Sequence, residues 1–255
     1  MAVSIKSERE IGLMREAGHI LESVLDELHK ELHAGMTTKD IDRIGERLIR
    51  ERGCTPSFLG YNGYPASICV SVNEEVVHGI PSDNHTIREG DIVSLDAGVI
   101  YKGYQADAAR TYGVGQVSED AQNLMKVTEQ SFFEGIKYAR EGCHLYDISA
   151  AIDDYVSQFR YGVVRDLCGH GLGTSLHEDP EIPNFRMNRK GILLKKGMVL
   201  CIEPMINMGT WEVDWMDDNW TVVSRDLSLS SHYENTVLIT DGDPELFTLS
   251  GGRHD

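Results

Sequence analysis

The feature that most constrains this chain is a repeat. Ser7-Glu8 opens a helix-patterned run that carries Leu13-Met14-Arg15, and Ser118-Glu119 opens another that carries Leu124-Met125-Lys126. Gly35 and Asp40-Ile41 are answered 107 residues later by Gly142 and Asp147-Ile148. At the same offset, Gly90-Asp-Ile-Val-Ser-Leu-Asp96 is echoed by Gly197-Met-Val-Leu-Cys-Ile-Glu203, and both runs end in a carboxylate. His78-Gly-Ile-Pro81 likewise has a counterpart in His177-Glu-Asp-Pro180. Solenoid repeats run to about 20–50 residues, so this unit is far too long for one. Two α-α-β-β halves are expected instead, about 7–113 and 118–240. They should pack as one domain spanning 1–255, an α+β fold with pseudo-two-fold symmetry, a central curved antiparallel sheet and helix pairs on its outer face.

Local patterns place the elements. Ile11, Met14, Gly18, Leu21, Leu25, Leu28 and Leu32 recur at three- and four-residue steps, which predicts a helix over 7–33 with Ser7 as N-cap and Gly35 as stop. A second helix is expected over 38–52, capped by Thr37 or Thr38 and closed by Gly53, with Gly162 closing its counterpart in the second half. Residues 67–72 read as a strand. Ile92, Val93, Leu95, Val99 and Ile100 begin a hairpin whose turn is Tyr101-Lys102-Gly103-Tyr104. If Lys102-Gly103 is the turn, Asp96 lies opposite Ala109 and Asp107 opposite Gly98, and both carboxylates leave the same face. Such diagonal neighbours have β-carbons roughly 7 Å apart. Two unpaired, desolvated carboxylates at that separation repel, so that one takes up a proton unless a cation is shared. From the hairpin alone the pair reads equally as a cation cradle or as one turn residue beside one surface residue.

Composition narrows the class. A chain of 255 residues with 41% hydrophobic content can form one substantial core, burying roughly three quarters of the unfolded surface. No apolar run approaches the roughly 20 residues of a membrane span, and Met1 to Arg9 does not resemble a signal peptide, so a soluble, cytoplasmic protein is expected. Five scattered cysteines without a Cys-x-x-Cys pair indicate neither a disulfide framework nor a zinc knuckle. A net charge of −17 without a Lys/Arg cluster argues against nucleic acid as the main ligand.

The second half carries the remaining chemistry. Gly169-His170-Gly171-Leu-Gly173 sets an imidazole among glycines, which allow close approach. Glu203 ends one apolar strand and Glu234 begins another. Buried glutamates require a partner. Asp96, Asp107, Glu203, Glu234 and His170 together suit two divalent ions bridged by carboxylates and a water activated to hydroxide. This hard, oxygen-rich set with one imidazole accommodates Mn, Co, Fe or Zn without choosing among them. Ion pairs with basic residues are the competing explanation, although only Arg110 lies obviously on those strands.

These motifs closely resemble those of the type I methionine aminopeptidases. The resemblance runs from the first helix to about Thr248 and rests on Gly60-Tyr-Asn-Gly-Tyr-Pro65, Asn73-Glu-Glu-Val-Val-His-Gly-Ile-Pro81, Asp96 with Asp107, Cys168-Gly-His-Gly-Leu-Gly173, Leu176-His-Glu178, Ile202-Glu-Pro204 and Tyr233-Glu234. It implies the pita-bread fold and two metal ions ligated by Asp96, Asp107, His170, Glu203 and Glu234, with Asp107 and Glu234 bridging. The ion completed by Asp96 would receive the substrate's free amino group. It further implies that His78 and His177 contact the scissile amide, that Glu203 accepts the proton of the attacking water, and that Phe58, Tyr61, Tyr64, Cys69 and Trp220 line a methionine pocket. The implied substrate is the N-terminal methionine of nascent polypeptides with a small second residue. The implied setting is a monomer in transient contact with the ribosome. Asn235, Phe58 and Leu176 depart from residues common in the family (His, Cys and Phe), which bears on pocket shape and on tuning of the ligands.

Rival readings are an Xaa-Pro aminopeptidase or dipeptidase of the same fold, a non-catalytic binding module on that fold, and a mononuclear iron oxygenase. The proline-specific enzymes carry a sizeable extra N-terminal domain, whereas only 95 residues precede Asp96 here and the repeat accounts for nearly all of them. Non-catalytic relatives typically lose ligands, and an oxygenase site leaves Glu203 and Glu234 unexplained. Glu203 and Glu234 are only 31 residues apart, which leaves no room for the insertion of the type II enzymes.

Overall fold

A computed structural model describes residues 3–249; the ends of the expected 1–255 span, residues 1–2 and 250–255, lie outside the described residues. The first half contains α1 (Glu8–Glu31), α2 (Thr38–Glu51), β1 (Thr55–Pro56), β2 (Ile68–Val72), β3 (Glu75–Val77), β4 (Ile92–Tyr101) and β5 (Tyr104–Gly113). The second contains α3 (Glu119–Ile136), α4 (Leu145–Val156), β6 (Gly162–Val163), β7 (Gly169–Gly171), β8 (Glu178–Ile182), β9 (Val199–Ile202), β10 (Met205–Asn207), β11 (Val213–Trp215), β12 (Val222–Ser224), β13 (Ser230–His232), β14 (Asn235–Leu238) and β15 (Glu245–Leu246).

Capping chemistry sets the helix starts. Thr37 Oγ1 accepts from the Asp40 N–H at 3.1 Å while the Asp40 carboxylate accepts from the Thr37 N–H at 3.0 Å, a reciprocal capping box. Glu10 folds back onto Ser7 in the same way, and Ser118 Oγ accepts from the Ala121 N–H. The expected helix stop at Gly162 is not observed. α4 ends at Val156, a 3₁₀ turn follows through Phe159, and Arg160 takes the left-handed backbone at φ 61°. Gly162 begins β6 instead, where a β-carbon would lie 2.4 Å from the Trp211 nitrogen. That glycine is required by close backbone approach, which in sequence looks the same as a helix stop.

The β4–β5 hairpin has the expected register: Tyr101 pairs with Tyr104, Asp96 with Ala109 and Asp107 with Gly98. Lys102 and Gly103 both have positive φ, at 50° and 85°, as a two-residue turn matched to strand twist needs. In one sheet β4 lies between β5 on one edge and β2 and β1 on the other; in the second the order is β15-β14-β9-β7-β8. Two smaller three-stranded sheets, β13-β10-β6 and β11-β12-β3, complete the layer, and every pairing between these named strands is antiparallel.

The repeat extends to register. Ser71↔Ser94 and Val72↔Val93 between β2 and β4 are answered by His170↔Cys201 and Gly171↔Leu200 between β7 and β9. Ser94↔Thr111 and Leu95↔Arg110 between β4 and β5 are answered by Cys201↔Thr236 and Ile202↔Asn235 between β9 and β14. Continued through the site, this correspondence sets Asp96 against Glu203, Ala109 against Glu234 and Asp107 against His232.

The halves meet along β5 and the strands flanking Glu234. Ala109 and Glu234 exchange backbone hydrogen bonds at 3.4 and 2.9 Å. Thr236 Oγ1 donates to the Asp107 carbonyl and accepts from the Asp107 N–H, at 2.8 and 2.9 Å. Thr111 Oγ1 makes the symmetric pair with the His232 carbonyl and N–H, both at 2.9 Å. Two apolar cores lie beneath the helix pairs, one around Leu21, Leu25, Ile49, Val93 and Leu95, the other around Phe132, Ile148, Ile152, Leu200 and Val237. A third cluster, including Met14, Phe58, Tyr64, Cys69, Leu172 and Cys201, fills the concave side between them.

Candidate metal centre

A cavity of about 160 Å³ opens on that concave side. Each residue marked by the sequence lines it: Asp96, Asp107, His170, Glu203 and Glu234 at one end, His78 and His177 beside them, and Phe58, Tyr61, Tyr64, Cys69 and Trp220 on the walls. Asn62 and Leu176 complete the lining. Asn235 does not line it; on the next residue from Glu234, its side-chain oxygen accepts from Arg110 and Thr248 at 2.6 and 2.8 Å.

The fold delivers these side chains from both halves. Asp96 and Asp107 come from β4 and β5, His170 from β7, and Glu203 and Glu234 from the residues that follow β9 and precede β14. The glycines around His170 permit this crowding: a β-carbon at Gly169 would lie 2.3 Å from the Cys201 carbonyl oxygen, and one at Gly171 2.2 Å from that of Asp179. His78 has φ 59°, a left-handed backbone that costs about 1–3 kcal/mol for a residue with a β-carbon and that persists where surrounding packing enforces it. Trp220 enters from the loop between β11 and β12, at 5.1 Å from the Tyr64 ring and 6.2 Å from the His78 ring.

Burial dominates the electrostatics. Asp107 and Glu234 are 4% and 2% exposed, and both are pushed well above the usual carboxylate range, first by burial and then by the neighbouring carboxylates. Burial raises Glu203 to about 8, and Asp96 rises to about 7 through burial partly opposed by His232. His170 falls to about 3 and His78 to about 4, again chiefly through burial, so both rings are neutral at pH 7. Arg110 is no counter-ion to this cluster: its guanidinium donates to the carbonyls of Ala109, Glu234 and Thr248 and lies 4.5 Å from the Tyr233 ring centroid.

The donor set fits a cation. His170 Nδ1 lies 2.9 Å from the Gly171 carbonyl oxygen, which can only accept, so Nδ1 carries the ring proton and Nε2 presents a lone pair. That lone pair faces Asp107 Oδ2 at 3.8 Å and Glu203 Oε1 at 3.7 Å. Asp96 Oδ1, Asp107 Oδ1 and Glu234 Oε1 are buried without a hydrogen-bond partner among the described residues. Converging carboxylate oxygens with no hydrogen-bond donor among the described residues are the arrangement that a divalent ion stabilises. One donor atom each from Asp107, His170, Cys201 and Glu234 lies within 4.8 Å of all the others. Sequence reasoning passed over two members of this neighbourhood. Cys201 shares a strand face with Glu203, and His232 brings Nε2 to 3.5 Å from Glu203 Oε2.

A duplicated α+β fold with a buried carboxylate–imidazole cradle defines a metallopeptidase, and residues 12–241 match the model of metallopeptidase family M24, to which the chain belongs. Within that family it groups with the methionine aminopeptidases. It is 52% identical to the methionine aminopeptidase of Clostridium acetobutylicum over 97% of this chain and 99% of that one. The crystal structure of methionine aminopeptidase from Rickettsia prowazekii superposes with a TM-score of 0.95 at 38% identity, covering 97% of this chain and all of that one. Prolidase from Pyrococcus furiosus shares the pita-bread fold at a TM-score of 0.79 and 24% identity, with 66% of its length covered. The protein is therefore a hydrolase of the metalloaminopeptidase class. Among the described residues no helix is long and apolar enough to cross a membrane.

Proposed function

We propose that the protein removes the N-terminal methionine from nascent polypeptides and peptides whose second residue is small, using two divalent ions, Co, Mn, Fe or Zn. The carrying observation is that a buried set of carboxylate oxygens with no hydrogen-bond donor among the described residues ends a cavity whose walls are Phe58, Tyr61, Tyr64, Cys69, Leu176 and Trp220. Asp96, Asp107, His170, Glu203 and Glu234 would hold the ions, with Asp107 and Glu234 shared between them. When bound, divalent ions polarise a carbonyl and bring the pKa of water toward neutrality.

The chain's own residues then divide the work. Glu203, deprotonated when an ion is held beside it, would serve as proton acceptor for the attacking water and pass that proton to the leaving amine. Tyr61 Oη lies 2.7 Å from His177 Nδ1. With Tyr61 donating, His177 Nε2 carries the proton offered to the developing oxyanion, and burial keeps the ring from charging near neutral pH. His78, packed edge-on against Trp220, donates to the same amide from the other side. The aromatic and thiol walls offer polarizable contacts to a thioether. The substrate's free amine is held on the Asp96 side. We place this activity in a single catalytic unit acting as a monomer in the cytoplasm, in transient contact with the ribosome.

Release of methionine from Met-Ala-Ser by the metal-loaded protein, with Ala-Pro peptides run in parallel, tests the substrate class. Free methionine from the first is expected. Cleavage of the proline peptide alone would overturn the reading in favour of an Xaa-Pro peptidase.

A further inference from the structure

His232, like Cys201, is a residue of this neighbourhood that the hydrolytic scheme leaves unused. It is 1% exposed, both of its ring nitrogens lack a hydrogen-bond partner among the described residues, and Nε2 sits 3.5 Å from Glu203 Oε2. The pseudo-symmetry sharpens its position, because His232 occupies in the second half the place that Asp107 occupies in the first. Its backbone is fixed there by the Thr111 hydroxyl, as that of Asp107 is by Thr236. Glu203 thus lies between two imidazoles, with Oε1 3.7 Å from His170 and Oε2 3.5 Å from His232. The two rings are chemically distinct. The Gly171 carbonyl fixes His170 with its Nε2 lone pair toward the carboxylates, whereas among the described residues no such acceptor faces Nδ1 of His232, which leaves its ring proton free to sit on Nε2.

We propose that His232 is a positioning residue of the metal centre: its Nε2–H donates to Glu203 Oε2 and holds that carboxylate so that Oε1 is presented, beside the His170 lone pair, to the ion. Asp96 also acts electrostatically on this ring, but among the described residues no hydrogen bond occupies either ring nitrogen, and Nε2 and Glu203 Oε2 satisfy each other across the 3.5 Å gap. The bond limits rotation of Glu203 away from the ligand set. Its removal leaves every ligand in place but loosens one of them. Outer partners of metal ligands of this kind are worth about 10–100-fold in metal affinity.

The proposal rests on Glu203 being an ion ligand, and the test separates the two. Co(II) binding to metal-free wild type, E203Q, H232A and H232Q is followed by calorimetry and by visible absorption of the bound ion, with circular dichroism as a control for folding. H232A is expected to bind about 10–100-fold more weakly with an altered spectrum, and H232Q, whose amide keeps a donor, to recover most of the affinity. Equal affinity and an unchanged spectrum in H232A would overturn the role of His232 while loss of binding in E203Q still upholds the ligand assignment. Failure of wild type to bind Co(II) would overturn both. Should H232A not fold, ¹⁵N-histidine NMR of the loaded wild type decides. A slowly exchanging ring N–H that vanishes in H232Q supports the bond, and its absence refutes it.

Discussion

Four carboxylates within one buried site form a stable arrangement only when protons or cations stand between them. That conflict is what made Asp96, Asp107, Glu203 and Glu234 visible in the sequence, since acidic residues in apolar strands violate the ordinary rules of burial. His170 stood out through its glycine neighbours, whose reason is close approach of the Cys201 and Asp179 backbones. Cys201 and His232 were not legible, because a cysteine or histidine in a strand carries no comparable conflict. Their relevance comes from side-chain direction and from register across the two halves. Asp107→Asn is expected to abolish turnover and to lower metal retention, read by metal analysis of the dialysed variant; full activity would contradict a bridging role. His177→Ala should lower kcat by about 10²–10³, the range for loss of one oxyanion donor, with metal content unchanged.

The elements were largely legible because each has a local cause: capping boxes at Ser7 and Thr37, a Lys102-Gly103 turn of the right hand, and apolar periodicity between. The end of α4 was misread because a glycine demanded by tertiary packing looks the same in sequence as one demanded by helix termination. Trp220 was placed on the pocket wall only by resemblance, since it rides on the β11–β12 hairpin, a second-half excursion absent from the first-half link between β4 and β5. The seam at Asp107 and Thr236 could not be read at all, because it pairs residues 129 apart. It yields a prediction at this scale. Thr236→Val leaves the buried Asp107 N–H and carbonyl without that hydroxyl, and should cost about 1–3 kcal/mol in denaturant unfolding. Thr111→Val, which breaks the symmetric pair at His232, should cost a similar amount, and stability unchanged in both would contradict the seam.

At the scale of the whole molecule, the buried carboxylates tie stability to pH and to metal. Asp96 and Glu203 titrate at about 7 and 8 in the folded, metal-free protein, above their unfolded values of about 3.9 and 4.3. The folded state therefore binds more protons between those limits. The stability these groups contribute is fully present below the unfolded values and is lost as pH rises through 7 and 8. Ions held by the proposed ligands would bind these groups deprotonated and replace the lost protons. The expected outcome is a metal-free Tm that falls between pH 6 and 8.5, and a Tm increase on adding Mn(II) that is larger at pH 8 than at pH 6. A metal-induced increase that is greater at pH 6 would show that these carboxylates are not the ligands.

The most direct test of a two-ion hydrolytic centre is an equilibrium titration of the metal-free protein with Mn(II) or Co(II), with methionine release from Met-Ala-Ser measured in the same samples. Binding that saturates at two ions per chain, activity that rises with occupancy, and loss of both in Asp107→Asn are predicted. Saturation at one ion with full activity, or activity that persists without metal, would contradict it.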